Sequence, residues 1–196
     1  MNFLAHLYLS GDDEMVMVGN FIADHLKGHE WKNFPEAIQR GVRMHRFIDE
    51  FTDSHPVVER SKALLRPGFR KYSPVICDIF YDHFLAAAWS AYSTVDMDDY
   101  SKNVYAMLHQ YEQYLPERTK AMMVYMERDN WLKNYASLQG LDMALKGMSR
   151  RASFENNMNH AADFLQQHYP DFKKDFDDFF PELQKNTQQL FLFHHK

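Results

Sequence analysis

SPVICDIFYDHFLAAAWSAY, residues 73–92, is apolar or aromatic on nearly every face, as expected of a helix buried in the middle of a domain rather than laid on its surface. Ser73-Pro74 opens it: a hydroxyl can cap free N–H groups, and proline at the first helical position gives up a hydrogen bond that no residue there would make. Its acidic and basic side chains are Asp78, Asp82 and His83 alone. Unpartnered buried carboxylates cost on the order of several kcal/mol, so they persist with a cation, a metal or strong hydrogen bonds. Asp78 and Asp82 lie one turn apart on one face, with His83 about 100° round from Asp82. Asp82-His83 is therefore a metal-ligand candidate.

The segments on either side read as helices packed around this one. Asn2–Leu9 carries an apolar stripe of Phe3, Leu4 and Leu7, with His6 beside it as either a packed, hydrogen-bonded residue or a ligand. Ser10-Gly11-Asp12 reads as a turn and cap before a helix over 13–26, whose apolar spacing is Met15, Val18, Ile22 and Leu26. Asn20, Asp24 and His25 ride on that helix, Asp24 as a ligand or as an exposed helix-end residue. In 35–56 the stripe Ile38, Val42, His45, Ile48 turns ionisable halfway along. His45, Asp49 and Asp53 recur every fourth residue, so they can converge on one ion, and Gly41 leaves space one turn earlier. A surface ladder of Arg43 and Arg46 with Asp49 and Glu50 is the competing reading.

Farther on, 57–65 reads as a short amphipathic helix and Arg66-Pro67-Gly68 as a turn. A helix capped at Thr94-Val95-Asp96 runs to about Tyr114, another starts at Pro116, and two short ones cover 131–138 and 141–146, with Gly147 as a stop and Met148–Arg151 as a loop. Segments 154–168 and 169–180 are amphipathic, Pro181 breaks or restarts the helix, and His194 and His195 read as a frayed tail. No strand alternation, hairpin dipeptide, phosphate-binding glycine loop or repeat occurs. The expected fold is all-α, a single-domain multi-helix bundle over 1–196.

Composition narrows the class. The 196 residues are 45% hydrophobic and 15% aromatic with seven glycines and seven prolines, a globular composition. The lone Cys77 excludes an intrachain disulfide and suits a reducing compartment. No stretch reads as a secretory signal or membrane span, so a cytoplasmic protein is expected. Net charge is −5, yet 40–71 holds eight Lys/Arg against four Asp/Glu. That basic segment is a solvated face or a docking patch for an acidic macromolecule. The acidity of the rest, without a recognition motif, argues against nucleic acid.

Asp24, the His45/Asp49/Asp53 face and the Asp78/Asp82/His83 face lie on three apolar helices that a bundle can bring together, with His6 nearby. Mixed imidazole and carboxylate donors suit manganese, iron, magnesium or zinc in a catalytic site. Such an ion lowers the pKa of bound water and neutralises charge on a phosphoryl oxygen. The expected chemistry is that of an HD-type phosphohydrolase.

NFLAH (2–6), GNFIADHLKG (19–28), GVRMHRFIDEFTDSHP (41–56), DIFYDHFLAAAW (78–89), DNWLKNY (129–135), ALKGMSRR (144–151) and FFPEL (179–183) resemble the bacterial acyl carrier protein phosphodiesterase family, in order and over nearly the whole chain. The resemblance implies an HD-domain-like, metal-dependent enzyme, usually with manganese, that cleaves the phosphodiester between 4′-phosphopantetheine and a serine of holo acyl carrier protein. With it, His6, Asp24, His45, Asp49, Asp82 and His83 are expected as the metal shell and its support. Asp24 and Asp78 are the catalytic carboxylates, Asp78 either orienting a ligand histidine or acting as base, and Arg46 or Arg150 holds a phosphate oxygen. Arg40, Arg43, Arg66, Arg70 and Lys71 are the docking candidates for the acidic carrier. The chain departs from the pattern in its Asp-His order at 24–25 and 82–83, in His25 where an aromatic is common, and in Ala87-Ala88 where basic residues are frequent. A phosphohydrolase of small phosphodiesters and a noncatalytic protein that docks acidic partners are the alternatives.

Overall fold

The computed structural model describes residues 1–192; His194 and His195 lie outside them. The described residues form α1 (Phe3–Leu9), α2 (Glu14–Ile22), α3 (Glu36–Ser54), α4 (Pro56–Phe69), α5 (Ser73–Ala87), α6 (Met97–Gln110), α7 (Glu117–Arg128), α8 (Trp131–Asn134), α9 (Leu138–Arg151), α10 (Ala161–Gln167) and α11 (Tyr169–Thr187), joined by short 3₁₀ turns and without a strand. The fold is all-α. None of the described helices is long and apolar enough to cross a membrane.

Helix α5 is the axis of the bundle. Ile76, Cys77 and the run Ile79–Ala86 are buried, and α1, α4, α9 and α11 pack around it. Its aromatic residues meet those of α11, with Phe80 edge-on to Phe172 at 5.1 Å and Tyr81 edge-on to Phe176 at 5.7 Å between ring centroids. Cys77 is buried and free.

Several boundaries differ from the expected ones. Ser73 does not cap α5: its hydroxyl donates to the Arg70 carbonyl at 2.7 Å, and the helix starts at Ser73 itself. It ends at Ala87, followed by a 3₁₀ turn at Trp89–Ala91. Helix α4 runs through Pro67 and Gly68 to Phe69, because a proline in the last turn forfeits one hydrogen bond while Leu65 and Phe69 remain buried. Helix α9 passes through Gly147, so 148–151 is its last turn rather than a loop. Leu141 and Leu145 are fully buried, and their packing outweighs the roughly 1 kcal/mol by which glycine weakens a helix. Helix α11 continues through Pro181 because Phe179, Phe180 and Leu183 are buried on both sides of it.

Candidate metal centre

Helices α2 and α3 touch backbone to backbone. A Cβ on Gly19 would collide with the Ile38 carbonyl, and one on Gly41 with the Val16 carbonyl and the Gly19 Cα. The space expected beside Gly41 is thus filled by α2, and the two bare positions let Asn20 reach across to His45. The cap of α2 sets its register, Asp13 Oδ1 accepting from the amides of Met15 and Val16 at 3.1 Å each. Asn20 is fully buried.

One amide organises two histidines. Asn20 Oδ1 accepts from His6 Nδ1 at 2.8 Å and from His45 Nδ1 at 3.1 Å, while the Asn20 backbone carbonyl also accepts from His45 Nδ1 at 2.9 Å. Asn20 Nδ2 donates to the His6 carbonyl and to Ser10 Oγ, both at 2.9 Å. Both Nδ1 atoms face carbonyl oxygens, so both carry protons, and each imidazole turns Nε2 outward. The rings stack at 4.2 Å with 25° between their planes.

Carboxylates close the outer side. His6 Nε2 lies 3.2 Å from Asp49 Oδ1, and His45 Nε2 lies 3.1 Å from both Asp49 Oδ2 and Asp24 Oδ1. One ligand atom each from His6, His45 and Asp49 falls within 4.8 Å of the other two. The imidazoles are buried, whereas the Asp49 and Asp24 side chains are 43% and 68% exposed. The centre therefore has a rigid floor and an open mouth.

Electrostatics follow from that geometry. Burial disfavours a charged His45, yet hydrogen bonds to Asp24 and Asp49 outweigh it and raise the imidazole to about 9. Burial and the neighbouring His45 lower His6. Burial alone would raise Asp49, but its bonds to His45 and His6 hold it well below the carboxylate range. Asp24 is lowered by its hydrogen bond to His45. The cluster holds a proton between two anionic oxygens and a nitrogen, where a cation with two nitrogen ligands and a carboxylate fits.

The remaining predicted residues sit elsewhere. Asp82 accepts from the amides of Asn2, Leu4 and Ala5 at 3.2, 2.7 and 3.3 Å, satisfying the free N–H groups at the start of α1. Burial raises it to about 7 against the pull of the Met1 ammonium and these amides. Asp78 pairs with the Met1 ammonium at 2.9 Å. His83 is bound at both nitrogens, Nδ1 at 2.7 Å from the Tyr135 carbonyl and Nε2 at 3.1 Å from the Tyr169 hydroxyl. Asp53 receives Lys62 Nζ at 3.2 Å. Neither Asp-His doublet works as a unit, since His25 turns from Asp24 to bond Thr119 Oγ1 at 2.6 Å.

Among the arginines, Arg40, Arg43, Arg60, Arg66 and Arg128 make ion pairs with carboxylates of the described residues, whereas Arg46, Arg70, Arg118, Arg150 and Arg151 make none there. Arg46 stacks on Trp31 at 4.9 Å. Asn20 is the residue whose role sequence reasoning missed. Its one signal is a lone carboxamide inside the apolar run VMVGNFIA, where a buried polar group needs partners.

The family model for acyl carrier protein phosphodiesterase matches residues 1–183. Relatives named acyl carrier protein phosphodiesterase align along nearly their full length. That of Photorhabdus laumondii is 31% identical over 96% of both chains. That of Yersinia pestis is 29% identical over 96% of this chain and 98% of its own, and that of Pectobacterium atrosepticum 30% over 97% and 100%. No solved structure matches.

Proposed function

The chain belongs to the acyl carrier protein phosphodiesterase family, and on that premise we propose that it hydrolyses the phosphodiester of holo acyl carrier protein, releasing 4′-phosphopantetheine and the apo carrier, with a divalent metal at His6, His45 and Asp49. The observation that carries this reading is the convergence of two Nε2 atoms and a carboxylate over one shared amide, Asn20. Manganese is the ion the family resemblance implies, and iron, magnesium or zinc would suit the same donors. The ion would supply Lewis acidity toward a phosphoryl oxygen and an acidified water. The chain works in this reading as one catalytic domain over 1–196.

The chain's own residues have distinct tasks. Asn20 keeps both Nδ1 atoms protonated, so both Nε2 lone pairs face the mouth. Asp24, exposed and held by His45, would take the proton lost by the attacking water as its oxygen bonds phosphorus, and would return it to the serine oxygen as the bond from phosphorus to that oxygen breaks. Arg46, which pairs with no carboxylate of the described residues and stacks on Trp31, would be the phosphate-holding guanidinium. Asp82 and Asp78 act as supports by fixing the start of α1, which carries His6. Arg70 and Lys71, which pair with no carboxylate of the described residues, would meet an acidic carrier, Lys71 leaving the face of the Phe154 ring 3.3 Å away to do so. Arg40, Arg43 and Arg66 would exchange Asp13, Glu36 and Glu59 for it, a swap of surface pairs worth about 0–1 kcal/mol each.

The test is the mass of purified holo acyl carrier protein after incubation with this protein and manganese, against a chelator control. Loss of the prosthetic arm only with metal is expected. An unchanged mass with several carriers and metals overturns the reading.

A further inference from the structure

A groove of about 610 Å³ runs between α7, α8 and α9, within the roughly 300–1,000 Å³ of small-molecule sites. Two elements of the candidate centre build its inner end. Helix α1 gives Phe3 to the groove and His6 to the centre, and residues three apart on a helix stand about 5–6 Å apart at Cβ. The 3₁₀ turn Ala23–His25 gives His25 to the groove and Asp24 to the centre, and the His25–Thr119 bond ties that turn to α7. The groove thus begins about one helical turn from the candidate metal ligands.

Its lining has a particular chemistry. Met122, Met143, Met148 and Trp131 supply thioether and aromatic surface, while Asn2 and Asn134 place carboxamides among them. Arg118 and Arg151 also line it, and neither is among the arginines that pair with carboxylates of the described residues. Tyr125 and Met143 of its lining remain 53% and 58% exposed. Large apolar groups left open beside a concave surface mark a place that something covers.

We propose, on the premise of the activity proposed above, that this groove holds the uncharged arm of the substrate, an extended chain of amides and methylenes ending in a thiol, while the phosphodiester lies at His6, His45 and Asp49. The groove's chemistry matches such a chain. Carboxamides offer both donor and acceptor to each amide, and guanidinium groups without carboxylate partners donate to carbonyl and hydroxyl oxygens. Methionine sulfurs and an indole give polarisable contact to the methylenes and thiol. The arm leaves the phosphate on the side away from the carrier serine, so it can enter the groove while the phosphodiester lies at the centre.

Three measurements test this with the full-length protein. Free pantetheine should compete with holo carrier in the wild type. Ala144→Trp on α9 and Met122→Trp on α7, both lining the groove, should each raise KM for holo carrier about tenfold, the loss of roughly 1.4 kcal/mol of binding. Both should abolish pantetheine competition. Manganese titration calorimetry of each variant reports whether the centre is intact. Holo carrier cleaved with unchanged KM by both variants, together with no competition by pantetheine, overturns the groove assignment and leaves the activity standing. Competition by a nucleotide but not by pantetheine overturns it in favour of a different occupant. Holo carrier left intact by the wild type with every metal removes the activity, and the groove assignment with it.

Discussion

Replacing Asn20 with alanine should weaken metal binding far more than its position, outside any ligand set, would suggest. The side chain makes four hydrogen bonds, to His6 Nδ1, His45 Nδ1, the His6 carbonyl and Ser10 Oγ. Three of these groups keep a partner after truncation. His45 Nδ1 still faces the Asn20 backbone carbonyl at 2.9 Å, and Ser10 Oγ still donates to the His6 carbonyl at 2.8 Å. His6 Nδ1 alone is orphaned, in a side chain that is almost entirely buried. An unsatisfied buried donor costs about 1–3 kcal/mol, and the vacated volume adds to it, so Asn20→Ala should destabilise the fold by about 2–4 kcal/mol. A second effect falls on the ion. His6 loses the bond that fixes its tautomer and ring plane, and loss of such an orienting partner typically weakens metal affinity about 10–100-fold. Calorimetric titration of manganese and zinc into wild type and variant, alongside urea unfolding, separates the two. Affinity unchanged within about twofold, with the expected loss of stability, would refute an orienting role and leave Asn20 as ordinary core.

Other perturbations distinguish support from ligation. Asp82→Ala strips the acceptor from three amides at the start of α1 and should lower stability by about 3–5 kcal/mol in denaturant unfolding. Asp49→Ala should leave a cooperatively folded protein with manganese affinity reduced at least about 100-fold; the reverse pattern would exchange their roles. Gly41→Ala drives a methyl group into the Val16 carbonyl and the Gly19 Cα, so it should destabilise by about 1–3 kcal/mol or more and also weaken metal binding by parting Asn20 from His45. Without metal, the imidazole of His45 is raised from 6.5 to about 9. Its contribution to stability is full below pH 6.5 and lost as pH rises through 9, which unfolding midpoints at pH 6.5 and 9.5 will reveal. Because a bound ion displaces that proton, metal affinity should climb by up to about tenfold per pH unit as pH approaches 9, measured by titration in non-coordinating buffers. A flat profile would mean that His45 is not a ligand.

The buried axis and the all-α class were legible because apolarity on every face of 73–92 admits little else. The i, i+4 spacing of His45 and Asp49 was legible for the same kind of reason, since helical period places both on one face whatever surrounds them. Asp82 and His83 were misleading as a pair. Sequence shows that buried ionisable groups need partners but not which ones, and here Asp82 has amides at the start of α1 while His83 has the Tyr135 carbonyl and the Tyr169 hydroxyl. Gly41 read as room for a ligand, whereas the room is taken by another helix, a contact far apart in sequence and invisible to local pattern. Helices running through Pro67, Gly147 and Pro181 show tertiary packing overriding local breakers. Asn20 stayed hidden because its importance comes from two histidines at separations of 14 and 25 residues.

The most direct measurement is an anomalous difference map from crystals of this protein grown or soaked with manganese. A peak bonded to His6 Nε2, His45 Nε2 and the Asp49 carboxylate, with Asp24 beside it and Asn20 still bridging the two Nδ1 atoms, is the predicted result. A peak at Asp82 and His83, or a centre that stays empty of metal while the protein still cleaves holo carrier, would contradict it.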